Sequence, residues 1–270
     1  MKNNLAGEIP FMRGLFESNV YYKPLKRQPN LILTAGVFPS HIGIESARGM
    51  NCWALTRSIQ ADNSPYYESG LSIQYSLRKC SLGFLVLNGW QNMRIFSQFK
   101  LPAVGHSFSL KSTQVSVGSH SFFGPSDPRF PDNFRAFHNF QIEKIWRKFG
   151  IQFALDAGYS WGDKKGLWWS PAVHIRWKPG SNTSLCGRAE WYHDDKKIII
   201  PSLPTDKCRV GGVSFNFDWT LNQSILCRYE CRWLVSDSSI FPTQNNMSHH
   251  SLNFTAALMI EFERLFRFKK

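Results

Sequence analysis

The sequence predicts an all-β chain folded as an antiparallel up-and-down β-barrel that crosses a membrane with its strands. Three observations carry the prediction. Apolar and polar side chains alternate with a period of two from one end of the chain to the other. The alternating runs often reach ten residues or more, against about five or six in soluble sheets. Full charges stand in mid-run on the polar faces, at Arg176, Arg188, Glu190, Arg228 and Arg232. Successive strand residues point to opposite faces, so each run has one oily and one polar side. Alternation by itself also fits a soluble sandwich. Length and mid-run charge favour a wall with lipid on one side and water on the other.

Taken in order, a first strand runs roughly from Leu15 to Pro24, and a turn at Pro24 to Asn30 returns the chain toward Pro39. A long loop covers residues 39–65. Leu71, Ile73, Tyr75 and Leu77 then alternate with Ser72, Gln74, Ser76 and Arg78, up to a tight turn near Lys79. A longer connection follows at Phe96 to Pro102, a tight one near Ser112, a longer one at Pro125 to Asn133 and a tight one near Phe149. Ile151, Phe153, Leu155, Ala157, Tyr159 and Trp161 form the oily face of the next run, with a short break at Gly162 to Gly166. After a turn near Gly180 and a loop at His193 to Lys207, Val213, Phe215, Phe217 and Trp219 alternate with Ser214, Asn216 and Asp218. A turn near Leu221 leads to Ile225, Cys227, Tyr229, Cys231, Trp233 and Val235, which face away from Arg228, Glu230 and Arg232. The loop Ser236 to His249 precedes Leu252, Phe254, Ala256, Leu258, Ile260 and Phe262.

Tight turns and longer loops thus alternate, as periplasmic turns and extracellular loops do in a membrane barrel. Trp90, Trp161, Trp168, Trp177, Trp191 and Trp219 lie near strand ends, where aromatic girdles sit. The count is about thirteen strands. The last ends aromatic-rich at Phe262, Phe266 and Phe268 on the periplasmic side, and counting back makes the first strand descend as well. Closed single-chain bacterial barrels have even strand numbers. The reading therefore expects an even-stranded barrel truncated at its N-terminus, with residues 1–13 the remnant of an extracellular loop and residues 14–268 a single barrel domain.

Composition agrees. Hydrophobic residues make up 43% and aromatics 15%, which excludes a disordered chain. Charged residues are 19%, below the roughly 25% of soluble domains. The net charge of +13 is spread along the chain, unlike the concentrated footprint of a nucleic-acid binder. Six cysteines show neither a CxxC pair nor zinc-like spacing with histidine. The start, MKNNLAGEIPFMRG, lacks the apolar core of a signal peptide, which the same truncation accounts for.

One stretch is more specific. Phe38-Pro39-Ser40-His41-Ile42-Gly43-Ile44-Glu45-Ser46-Ala47 leads into Leu55-Thr56-Arg57-Ser58, then Ala61-Asp62-Asn63-Ser64-Pro65-Tyr66-Tyr67-Glu68-Ser69-Gly70 and Leu87-Asn88-Gly89-Trp90-Gln91. It resembles the β-barrel porin family described as OmpL-like, of Bacteroides-type outer membranes; Phe137-His138-Asn139-Phe140 is a weaker match. The resemblance implies an outer-membrane barrel with an upstream signal peptide and further N-terminal strands. It brings no catalytic residues.

The functional expectation is a porin-like channel of the cell outer membrane for passive diffusion of small polar solutes or ions. The alternative is a non-conducting barrel that anchors a surface or secretion complex. Expected partners are outer-membrane lipid, the barrel-assembly machinery and the solutes themselves, with no nucleic acid. No catalytic, cofactor-binding or metal residues are expected: there is no GxSxG elbow and no Walker loop. His41 and Glu45 have helical i, i+4 spacing, but Ile42-Gly43-Ile44 between them is a poor helix for a metal pair. The loop 39–65 is long enough to be functional. Folded inward, it would narrow the pore with His41, Glu45, Arg57 and Asp62, the last two lining the constriction. Expected lumen-lining residues are Lys111, Glu143, Arg147, Asp156, Arg176, Arg188, Glu190, Asp218, Arg228, Glu230 and Arg232. Arginine predominates among them, which predicts a slight preference for anions.

Overall fold

The computed structural model describes residues 17–24, 30–162, 165–200, 205, 207–222 and 224–261. The expected loop remnant 1–13 and the terminal aromatics Phe262, Phe266 and Phe268 lie outside the described residues. The strands are β1 (Ser18–Tyr22), β2 (Leu31–Pro39), β3 (Tyr67–Ser76), β4 (Cys80–Leu87), β5 (Ala103–Lys111), β6 (Val115–Asp127), β7 (Phe130–Trp146) and β8 (Phe149–Trp161). They continue with β9 (Gly166–Trp177), β10 (Thr183–Asp194), β11 (Cys208–Asn222), β12 (Ile225–Ser236), the two-residue strands β13 (Phe241–Pro242) and β14 (Met247–Ser248), and β15 (His250–Ile260). The one described α-helix is α1 (Ile59–Asp62), and no described helix is long and apolar enough to cross a membrane.

Thirteen strands form one sheet in sequence order, β1 to β12 and then β15, every neighbour antiparallel. This is the expected up-and-down wall with the expected number of strands. Among the described residues β1 and β15 are its two edges. β13 and β14 form a separate small hairpin inside the loop that precedes β15.

The register places the oily stripes on one face throughout. In β8, Phe149, Ile151, Phe153, Leu155, Ala157, Tyr159 and Trp161 face outward, while Gly150, Gln152, Ala154, Asp156, Gly158 and Ser160 are buried inward. Phe215, Tyr229, Trp233, Phe254 and Leu258 are likewise exposed on the outer face. No second sheet or helical layer covers them among the described residues, as expected of a wall whose outer face meets lipid. β8 has 13 residues from Phe149 to Trp161. At ~3.4 Å per residue and a tilt of ~45° it spans roughly 28 Å along the normal, enough for the apolar band of about 25 Å. Aromatics mark both borders: Trp146, Phe149 and Trp177 stack at the tight-turn end, and Phe123, Phe134, Tyr159 and Trp161 cluster at the other.

Four details depart from expectation. Trp90 follows β4 in its loop and turns into the barrel, against Phe122 and Phe137 at 5.0 and 5.2 Å. Trp168 occupies an inward position and is 2% exposed. Neither belongs to a girdle; a tryptophan near a strand end is read correctly only with its parity. The expected loop at Pro125 to Asn133 is mostly strand, since β6 and β7 continue to a tight turn at Pro128 and Arg129. Finally, His106, Ser119, Ser121 and His138 face outward and satisfy one another, with His106 Nε2 3.2 Å from Ser119 Oγ and His138 Nε2 3.0 Å from it. Polar groups facing lipid need such internal partners. Pro171 in β9 is handled similarly. Its missing N–H interrupts pairing with β10, and Ser170 Oγ donates to the Trp191 carbonyl at 2.6 Å instead.

Candidate functional site

The connection between β2 and β3, residues 40–66, turns inward and lies along the inner wall of β6 to β12. Gly43 opens the inward bend at φ 94°, a conformation that favours glycine. Its N–H faces Asn139 Oδ1 at 3.4 Å. The segment reaches far toward the tight-turn end, where the Trp53 ring rests on Gly150, at which a Cβ would come within 2.6 Å of it. The Arg176 guanidinium stacks over the same ring at 4.0 Å.

Glu45 is the centre of the docking. Ser58 donates to it from its backbone N–H at 3.0 Å and also from its hydroxyl. His174 Nε2 stands 3.4 Å from it and Arg188 Nη1 3.7 Å. Burial pushes the Glu45 carboxyl up, but His174, Arg188 and Ser58 outweigh burial and hold it at about 2. Arg188 also donates to the Thr56 carbonyl at 2.7 Å and to Glu230 at 2.9 Å. Glu230 accepts from the Thr56 N–H at 2.6 Å and the Thr56 hydroxyl at 2.9 Å. Glu190 accepts from Ile59 N–H at 2.6 Å, at the start of α1, and from Arg232 at 2.7 Å. Anions are favoured beside such free N–H groups. Arg228 pairs with Asp218 at 2.8 Å and donates to the Gly49 and Cys52 carbonyls at 2.7 and 3.0 Å.

The wall therefore meets the loop backbone group by group. Asn216 Oδ1 accepts from Leu55 N–H at 2.9 Å. Thr56, Ser58, His174 and Asn216 were not among the expected site residues. His174 and Asn216 were legible as inward positions by strand parity, but nothing local marks them as loop anchors.

Of the expected loop residues, Glu45 is buried against the wall, and His41 donates through Nε2 to the Ser121 carbonyl at 2.9 Å. Burial lowers the His41 ring to about 4, which leaves it neutral at pH 7. Arg57 and Asp62 stand 3.9 Å apart, and their side chains keep 19% and 38% exposure. Tyr66 joins them: Arg57 lies 4.3 Å above its ring, and its hydroxyl donates to Asp62 at 3.0 Å. Glu143 accepts from Gln152 at 2.6 Å and Asp156 from Asn139 at 2.5 Å, both on the inner wall. Arg147 instead occupies the β7–β8 turn at φ 49°, and Lys111 is exposed at the end of β5; both mark the rim rather than the lumen wall. His41 and Glu45 go to different partners, and the described residues contain no cluster of three or more metal-ligating side chains.

The inner face of β2 to β5 is different in kind. It carries Thr34, Ser72, Gln74, Ser107 and Ser109 around a cavity of about 350 Å³ that His41 and His120 also line. The lumen thus has a charged half covered by the loop and a neutral half left open.

Solved outer-membrane proteins share this architecture. The anion-selective porin from Comamonas acidovorans superposes with a TM-score of 0.56 at 10% identity, over 86% of this chain and 71% of that one. OmpT, an outer membrane protein of Vibrio cholerae, gives 0.57 at 7% identity, over 86% and 77%. The outer membrane channel DcaP of Acinetobacter baumannii gives 0.53 at 11%, over 84% and 71%. At these identities the likeness is one of fold. No characterised protein sequence matches the chain. The family described as "Putative beta-barrel porin-2, OmpL-like" matches residues 10–262, and its porin-like outer-membrane barrel agrees with the sheet, the outward oily stripes and the inward loop. The chain belongs to this OmpL-like family of outer-membrane β-barrel porins.

Proposed function

We propose that the protein is a passive channel for small polar solutes or ions, with the inward loop 40–66 as its filter. One observation carries the reading. The loop is held inside the barrel by charge-assisted hydrogen bonds to Arg188, Glu190, Arg228 and Glu230, and it leaves the opposite half of the lumen open. Arg57, Asp62 and Tyr66 are the partly exposed loop groups, and opposed charges at a narrowing set selectivity by field and size. The anion preference expected from an arginine excess loses its support. Arg188, Arg228 and Arg232 are each tied to a carboxylate, so they offer passing ions little free positive field.

Planar-bilayer recording of the full-length protein tests the reading. Discrete conductance steps are expected. Arg57→Ala should shift ion preference toward cations and Asp62→Ala toward anions. Unchanged conductance and preference in both variants would remove the constriction role. A folded, inserted protein without channels would replace the channel by the non-conducting anchor.

A further inference from the structure

The two halves of the lumen differ in the chemistry they offer a solute. On the inner face of β2 to β6 the charged side chains are Glu68, fully buried, and Lys111 at the rim; the exposed groups between are hydroxyls and an amide. Thr34, Ser72, Gln74, Ser107 and Ser109 come from β2, β3 and β5, with Gly83 of β4 leaving the surface flat between them. Phe38 and Leu85 add apolar surface to the same cavity. Its volume of about 350 Å³ lies at the small end of ligand pockets, about 300–1,000 Å³.

Two imidazoles complete the lining. His41 donates its Nε2 proton to the Ser121 carbonyl, so in the neutral ring Nδ1 is an acceptor. His120 Nε2 faces the Gln141 amide nitrogen at 3.2 Å, which can only donate, so His120 Nδ1 carries the ring proton. Both Nδ1 atoms are buried without a partner. Neither atom is open to the cavity, so what the lining offers a solute is its hydroxyls and the Gln74 amide. Burial keeps His41 uncharged at neutral pH, so the ring offers an anion no counter-charge.

We propose that this hydroxyl-lined half of the lumen binds and conducts uncharged polyhydroxylated solutes of mono- to disaccharide size. The lining matches them by number and type of neutral donors and acceptors, and Phe38 and Leu85 match the C–H faces of a sugar ring. The proposal rests on the channel reading and narrows it to a substrate class.

The test uses the full-length protein in liposomes and bilayers, with glucose, maltose, sodium gluconate and glucosamine hydrochloride as probes. Glucose is expected to enter several-fold faster than gluconate or glucosamine, and maltose to interrupt the potassium chloride current in a concentration-dependent way. Gln74→Leu and Ser109→Val should each reduce the glucose advantage several-fold. Equal entry of charged and neutral probes, with no maltose effect, in a protein that conducts potassium chloride would overturn the substrate class and leave the channel standing. Absence of any conductance would overturn both. The wild-type comparison decides the matter even where a variant does not fold.

Discussion

At the residue scale, the site is a set of buried charges whose partners are supplied by a loop. Buried ion pairs add little net stability because desolvation offsets attraction, but removing one member strands the other. Arg188 contacts Glu45, Glu190 and Glu230 and is 3% exposed. Arg188→Ala should therefore destabilise the folded barrel by ~3–5 kcal/mol, read from denaturant unfolding in detergent. Among the loop groups, His41 and Glu45 weaken docking on acidification, whereas burial shifts Asp62 the other way. His41 is lowered from 6.5 to about 4, so its neutral form is favoured when docked. That contribution is complete above about 6.5 and fades as pH falls toward 4. Glu45 is lowered from 4.5 to about 2, so its contribution is complete above about 4.5 and is lost between there and about 2. Open-channel current noise should rise in two stages on acidification, the first near pH 6.5 to 4. His41→Gln should abolish the first stage; its persistence would assign that stage to another group.

At the scale of elements, the loop 40–66 decides how much of the barrel interior is passable. Its hydrogen bonds run to six different strands, β6, β7, β9, β10, β11 and β12 in total, counting the His174 ion pair. A loop so held is a fixed partition rather than a flap. Replacing residues 44–62 by a short Gly-Ser linker should raise single-channel conductance several-fold, because the volume now filled by Trp53 and α1 becomes water. An unchanged conductance would place the narrowest point elsewhere. The resemblance recognised in the sequence takes on a structural meaning here. Gly43, Glu45, Thr56 and Ser58 are the loop's contact points, and Asn139 of the weaker match receives Gly43. Gln91 Oε1 accepts from Tyr66 N–H at 3.1 Å where the loop rejoins the wall. The matched residues thus build the partition.

At the scale of the whole molecule, the outer surface is oily where the inner is polar, which only an apolar solvent on the outside makes stable. Leu155 lies midway along β8 on the outer face. Leu155→Arg should cost ~2–4 kcal/mol there, whereas Leu221→Lys at the end of β11 should cost ~0–1 kcal/mol. Unfolding of both variants in lipid checks the depth dependence, and equal costs would deny that a hydrocarbon layer surrounds the wall.

The sequence by itself determined the wall: strands, their number, their inward and outward faces, and the alternation of most turns and loops. Period-two alternation is a local property of extended backbone, readable residue by residue, and it placed Asp156, Arg188, Glu190, Asp218, Arg228, Glu230 and Arg232 on the inner face. It misread Trp90 and Arg147, which lie beyond strand ends where parity stops applying, and Trp168, whose inward parity was passed over for its place near a strand end. Only the tertiary structure decided that the inner charges are neutralised by the loop. Those contacts join residues 174 positions apart for Thr56 and Glu230, and 131 for Ile59 and Glu190. Which wall a loop meets depends on how the curved sheet brings distant strands together, and no local periodicity carries that information.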